Sequence, residues 1–289
     1  MDRPASDGPG RGPAPPHGGR PPPFPPPSNP VSDFNWPAPP SLPPLAGVEI
    51  HVWGAPLDGY ASELSDFVQC LSDTERRRAE RFHFDRDRDR FIARHGLLRR
   101  ILASYLGIAP ARISLANESR GKPVLADSTA QDPLHFNLTH SDGLALFAVS
   151  RLAPVGIDVE RVKPIPDADQ VAARFFSPQE NVALHTLPGA QMVEGFFNCW
   201  TRKEAYLKAT GEGIANSLPE VEVSLAPSGA AQLLCVSGDI REAARWTIHP
   251  LVPAPGWVGA LAVKARDVTP VCRRWPGVPP SPPHRAEPK

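Results

Sequence analysis

Proline sets the limits of what can fold here. The chain has 289 residues and 38 prolines, and the prolines crowd into its two ends. The first 45 or so residues run through PPPFPPPSNP with almost no periodic apolar pattern, and about the last 20 close on WPGVPPSPPHRAEPK. Proline lacks a backbone donor and fixes φ, so such stretches favour open polyproline conformations. They also bury too little apolar surface to offset chain entropy. Residues 1–45 and 269–289 are therefore expected to be disordered tails. The strand and helix signals fall between them, a length that suits one large domain or two small ones.

Inside these limits two similar series of elements are expected. Val48 to Trp53 alternates as a first strand. Ser72 caps a helix with Glu75 at the capping-box position. A second helix runs from about Asp87 and stops at Gly107. Short strands follow at Arg112 to Ala116, Val124-Leu125, Leu134 to Thr139 and Leu144 to Val149, with Ser141-Asp142-Gly143 as a hairpin turn. After the run Val155 to Glu160 the order partly recurs. A helix spans Asp167 to Phe176, and Ser177-Pro178-Gln179-Glu180 caps another. A long helix runs from about Gln191 to Thr210. Strands are expected at Glu220 to Leu225, Gln232 to Val236, Trp246 to Leu251 and Trp257 to Val263. Helices mixed with antiparallel-type strands give an α+β class in two halves, 46–152 and 153–268.

Composition narrows the function. The formal net charge is zero, so no global field draws the chain to nucleic acid or to a membrane surface. No apolar run approaches the roughly 20 residues of a membrane span. Met1-Asp2-Arg3-Pro4 lacks the apolar core of a signal peptide. Cys70, Cys199, Cys235 and Cys272 have no metal-like or redox spacing, as expected of free thiols in a cytoplasmic protein.

The chemistry points to one strand and one helix. In Val155-Gly156-Ile157-Asp158-Val159-Glu160, alternation puts three apolar residues on one face and both carboxylates on the other. Neighbouring carboxylates repel, more so when desolvated, and a cation relieves this. Oxygen ligands so arranged suit Mg²⁺, which usually serves a phosphate substrate. The plain alternative is a solvated sheet edge. Trp200, Glu204 and Lys208 share one stripe of the long helix. The plain reading there is an i,i+4 salt bridge beside a core tryptophan. The chemical reading is a carboxylate completing a metal site next to an ammonium that meets phosphate. Glu180 reads first as a capping-box residue, Lys122 of Gly121-Lys122-Pro123 as a turn lysine, and His140 as a structural histidine. The basic run Arg76 to Arg90 is interleaved with acid, which argues against a nucleic-acid stripe. No dinucleotide, zinc-protease, nucleophile-elbow or paired-cysteine motif is present.

The order GKPVL, FNLTHS, VGIDVE, FFSPQE, WTRKEAYLK resembles the 4′-phosphopantetheinyl transferases of the surfactin-synthetase-activating type, in the holo-carrier-protein synthase superfamily. The likeness spans about Val48 to Val263. It implies a monomer of two α+β halves in pseudo-twofold arrangement, with coenzyme A and Mg²⁺ in the cleft between them. Such enzymes move the 4′-phosphopantetheine arm of coenzyme A onto a serine of an apo acyl- or peptidyl-carrier protein and release adenosine 3′,5′-bisphosphate. Carriers of fatty-acid, polyketide and nonribosomal-peptide synthesis all fit.

By the same resemblance, Asp158, Glu160 and Glu204 match the metal-binding carboxylates. Lys208 matches the lysine on the pyrophosphate, with Lys203 near it. Lys122 and Pro123 match the adenine end. Thr139 stands where the motif usually has serine, and His140 matches a phosphate-contacting histidine. Arg78 matches a basic residue at the 3′-phosphate, helped by Arg90, Arg94 or His95. Glu75 stands where relatives can carry a lysine. Mg²⁺ would neutralise the pyrophosphate, Lys208 would stabilise the leaving oxygen, and Glu180 or Glu204 would take the serine proton, with Glu180 the favoured base. The competing expectation is a non-catalytic coenzyme A-binding sensor or scaffold, its proline-rich head engaging SH3- or WW-like partners.

Overall fold

The computed structural model describes residues 34, 36–39, 43–45, 47–126, 133–213 and 218–276. All of them belong to one compact unit, residues 31–289. In chain order the elements are β1 (Glu49–Pro56), α1 (Leu64–Cys70), α2 (Asp73–Ala79), α3 (Asp85–Leu106), β2 (Leu115–Asn117), β3 (Pro123–Leu125), β4 (His135–Ser141), β5 (Leu144–Ser150) and β6 (Val155–Arg161). There follow α4 (Ala168–Phe175), α5 (Pro178–Thr186), α6 (Gly189–Thr210), β7 (Val221–Val223), β8 (Leu233–Val236), α7 (Ile240–Ala243), β9 (Thr247–Leu251), β10 (Trp257–Val263) and β11 (Thr269–Arg274).

This is an α+β chain whose second half repeats the first. Each half opens on a strand (β1, β6), continues through a 22-residue helix (α3, α6), makes a two-stranded ribbon (β2–β3, β7–β8) and ends in two antiparallel strands (β4–β5, β9–β10). The sheets reuse one order: β1-β5-β4 in the first and β6-β10-β9 in the second. Both long helices stop at a left-handed glycine, Gly107 (φ 66°) and Gly211 (φ 75°), as a Cβ-free C-cap allows.

Both long helices are also pinned alike. Ser72 and Ser177 cap α2 and α5 through capping boxes whose third residues are Glu75 and Glu180. Arg99 of α3 donates to Glu75 Oε2 at 2.9 Å and to Ile113 O at 2.7 Å. Lys203 of α6 stands 2.5 Å from Glu180 Oε2 and donates to Leu218 O at 2.8 Å. Each cation lies eight residues before the glycine that ends its helix.

Three cores follow. One joins α3 to the outer face of the first sheet through Trp53, Phe147, Leu97 and Ile101. The second joins α6 to β10 through Ala205, Ala209, Ala260 and Ala262. Between the sheets, Ile50, Val52, Leu144 and Leu146 meet Val155, Ile157, Val159 and Leu261. The apolar face of the Val155–Glu160 run is thus buried against the other sheet, and its acidic face turns towards α6. Gly156 belongs to that second face. A Cβ there would collide with the carbonyl oxygen of Ala205 and the amide of Ala209. Glycine is what lets α6 lie on β6.

Two expectations need correction. Residues 269–274 are not tail: β11 pairs parallel with β1, from Glu49 opposite Thr269 to Gly54 opposite Arg274. It is an edge strand, where Pro270 is tolerated. The end of the N-terminal stretch is likewise packed: Phe34 and Trp36 stack edge to face at 5.2 Å against the inter-sheet core, and Pro37 O accepts from Arg274 N at 2.9 Å. Leu45 and Trp275 also pack on the first core, and residues 1–33 and 277–289 lie outside the described residues. Helices α1 and α7 had no counterpart in the sequence reading. No described helix is long and apolar enough to cross a membrane.

Candidate active site

The acidic face of β6 is held from the side by β4. The two strands are edges of separate sheets, and side chains replace a ladder between them. Asn137 Oδ1 accepts from Ile157 N at 2.9 Å, Thr139 Oγ1 donates to Asp158 Oδ1 at 2.9 Å, and Ser141 Oγ donates to Glu160 Oε2 at 2.6 Å. Alternation along FNLTHS puts these three polar residues on one face, each opposite its partner on β6.

From above, α6 adds Glu204 and, one turn later, Lys208. Lys208 Nζ lies 2.6 Å from Asp158 Oδ1 and donates to Thr139 Oγ1 at 3.4 Å. Asp158 and Glu204 are only 4% and 3% exposed. Even so, Asp158 Oδ2 and Glu204 Oε1 are buried without a hydrogen-bond partner. Such orphans cost free energy unless something binds them.

The electrostatics follow from burial. It pushes Glu204 up to about 7, with Asp158 adding to the rise and Lys208 opposing it. Burial also raises Asp158, against the pull of Lys208 and Thr139, and raises Glu160 against Ser141. Three carboxylates held above their ordinary range in one place form a site poised for a cation.

These groups open on a cleft of about 440 Å³. It is also lined by Arg94 and His95 of α3 and by His140 of β4. Arg94 Nε is buried without a partner. Burial, then the neighbouring Arg78, brings the Arg94 guanidinium down to about 10. His95 Nδ1 donates to Phe91 O at 2.8 Å, and burial holds the ring near 4, so it is neutral at pH 7. A second cleft of about 360 Å³ adjoins the first, sharing Leu138, Glu204 and Lys208 and adding Lys122 and Pro123. Lys122 Nζ donates to Ala209 O at 3.0 Å, and burial lowers its pKa. A cation-poised acidic centre flanked by Arg94 and Lys122 fits an anionic, diphosphate-type ligand.

Comparison with known proteins agrees. Residues 154–262 match the family described as the 4′-phosphopantetheinyl transferase superfamily, and residues 58–151 match the family described as 4′-phosphopantetheinyl transferase, N-terminal. The 4′-phosphopantetheinyl transferase HetI of Nostoc sp. (strain PCC 7120 / SAG 25.82 / UTEX 2576) is 45% identical over 227 residues, which cover 78% of this chain and 92% of HetI. The chain belongs to the 4′-phosphopantetheinyl transferases. The transferase psf-1 of Bacillus pumilus is 37% identical over 59% of this chain and 71% of its own length. The transferase Sfp of Bacillus subtilis (strain 168) is 28% identical over 58% of this chain and 72% of its own.

Most residues singled out from the sequence meet at the two clefts of this transferase. Arg94, His95, Thr139, His140, Asp158, Glu160, Glu204 and Lys208 line the first, and Lys122 and Pro123 the second. Arg78 stands with its guanidinium 5.4 Å from the Phe91 ring centroid. Arg90 is committed elsewhere, to Asp58 at 2.7 and 2.5 Å. Glu180 and Lys203 are not cleft residues. Glu180 Oε2 takes the Ser177 N–H and Lys203, and its Oε1 takes the Val223 N–H at 2.8 Å. Glu180 is 3% exposed and lines neither cleft, which weighs against the expectation that it is the base. Ser141 and Asn137 were missed as site residues, although the period of two along β4 was there to find them. Trp200, read as core or stripe, does both: it lines the cleft and packs edge to face on Phe175 at 5.8 Å.

Proposed function

We propose that this transferase moves the 4′-phosphopantetheine arm of coenzyme A onto a serine of an apo acyl- or peptidyl-carrier protein, releasing adenosine 3′,5′-bisphosphate. The observation that carries the reading is the meeting of Asp158, Glu160, Glu204 and Lys208 at one cleft that Arg94 and His95 also line.

Mg²⁺ is the proposed metal, and the donor set fits it. The donors are oxygens, and buried oxygens of Asp158 and Glu204 lack partners. Among the described residues no three such side chains already stand at ligating distance. Mg²⁺ keeps several waters and takes one or two carboxylates, so it does not need three. Asp158 and Glu204 would hold it, with Glu160 at hand. Bound there, it would supply positive charge to a pyrophosphate under attack.

The chain's own groups do the rest. Lys208 stabilises the bridging oxygen as it leaves. Arg94, backed by Arg78, binds the 3′-phosphate, with His140 donating a hydrogen bond. Lys122 and Pro123 flank the adenine end. Glu204 takes the serine proton, directly or through water. It is the candidate base that faces the cleft, and its second carboxylate oxygen is left for that task when the first holds the metal. Positioning and electrostatics supply most of the rate. The proposal treats the transferase as a cytoplasmic monomer, in keeping with its four unpaired cysteines.

A coenzyme A-binding sensor, the competing expectation, has no observation in its favour. The test is a panel of apo carrier proteins incubated with purified transferase, coenzyme A and Mg²⁺, read by intact mass. A pantetheine-arm gain on at least one carrier is expected, and coenzyme A binding with no gain on any would favour the sensor.

A further inference from the structure

The repeat offers an internal control for the two buried ion pairs. Glu75–Arg99 and Glu180–Lys203 hold the same place in their halves: capping-box glutamate to long-helix cation, with the cation also donating to a backbone carbonyl ahead of the ribbon. What differs is the neighbour on the long helix. Arg99 follows His95 by one turn and Arg94 by five residues. Lys203 immediately precedes Glu204, and Lys208 lies five residues on.

Apolar packing is non-directional and leaves a helix free to shift slightly about its axis. A buried, fully bonded ion pair is directional and fixes rotation and register. The α6 face carrying Lys203 is enclosed: Lys203 is 0% exposed and also donates to Phe175 O at 3.3 Å. About 100° of helical rotation separates it from Glu204, so anchoring one aims the other.

We infer that the two pairs are positioning devices with divided roles. Glu75–Arg99 sets Arg94 and His95 for the anionic end of coenzyme A, and Glu180–Lys203 sets Glu204 and Lys208 for the reacting diphosphate. This rests on the transferase reading above. Neither pair touches substrate, so each acts through its neighbours on the helix.

The experiment removes both charges of each pair in the full chain, which avoids stranding one buried ion. The variants are Glu75→Gln/Arg99→Met and Glu180→Gln/Lys203→Met. The single variants Glu75→Gln and Glu180→Gln, whose amides keep the caps, run beside them, as does Lys203→Met. Assays are done well below each measured melting temperature, with wild-type loading of a carrier protein as the check on the transferase reading itself. For the first-half pair, the KM for coenzyme A should rise roughly 10-fold or more with kcat within about threefold. For the second-half pair, kcat should fall roughly 10- to 100-fold, the scale of an ångström-level misplacement, with KM within about threefold. Loss of the same parameter in both, or of neither, would overturn the division. A Glu180→Gln defect far larger than that of Lys203→Met would return Glu180 to the role of base and overturn it too.

Discussion

Lys208 reaches from α6 to within 2.6 Å of the Asp158 carboxylate on β6. It is one partner for a carboxylate that is otherwise dry and keeps an unbonded oxygen. The pair is arranged for chemistry more than for stability, because burial outweighs the ammonium and leaves the acid's pKa raised.

Asp158→Asn should therefore separate activity from stability. Transfer to a carrier protein should fall by at least about 10²–10³-fold, as when a charge-stabilising group is lost. The urea midpoint should stay the same or rise, since a raised carboxylate pKa means the folded state favours the neutral form. Steady-state rates and urea titration check both halves of the statement.

Glu204 gives a pH signature. Burial raises its pKa from the ordinary 4.5 to about 7, so the folded state binds more protons than the unfolded one between those limits. Without metal, its contribution is fully present below about 4.5 and is lost as pH rises through about 7. His95, lowered to about 4, has the opposite sign: its contribution is present above about 6.5 and is lost as pH falls through about 4. Comparing wild type with Glu204→Gln isolates the first. Mg²⁺ must displace the Glu204 proton, so its thermal stabilisation should be small at pH 5.5, larger at pH 8, and nearly absent in Glu204→Gln. Melting curves with and without Mg²⁺ test this.

Gly156→Ala should be among the costliest small substitutions in the chain. The added methyl meets backbone atoms of α6 at Ala205 and Ala209, which cannot turn aside as a side chain can. A loss of about 3 kcal/mol or more is expected, at the upper end for overpacking. The urea midpoint reads it. Moving α6 also shifts Glu204 and Lys208, so transfer should fall as well.

Local signals in the sequence survived into the structure. The capping boxes at Ser72 and Ser177, the helix stops at Gly107 and Gly211, and the two-faced strand at Val155–Glu160 all depend on neighbours within a few residues. What the letters hid was long range. β11 is a short segment beside a proline-rich end, and only its pairing with β1, more than 200 residues earlier, makes it a strand. Lys203 and Glu204 are adjacent in sequence, yet one faces a core and the other a cleft. With charge on several faces of α6, periodicity alone could not say which face was inside. Glu180 misled for a related reason: its capping-box role was legible, but the buried lysine that completes its bonding was not.

The most direct test is carrier-protein loading followed by intact mass, with wild type, Asp158→Asn and Glu204→Gln each assayed in Mg²⁺ and in excess chelator. A mass gain with wild type in Mg²⁺ alone is the predicted result. Loading by either variant at the wild-type rate, or by wild type under chelation, would contradict it.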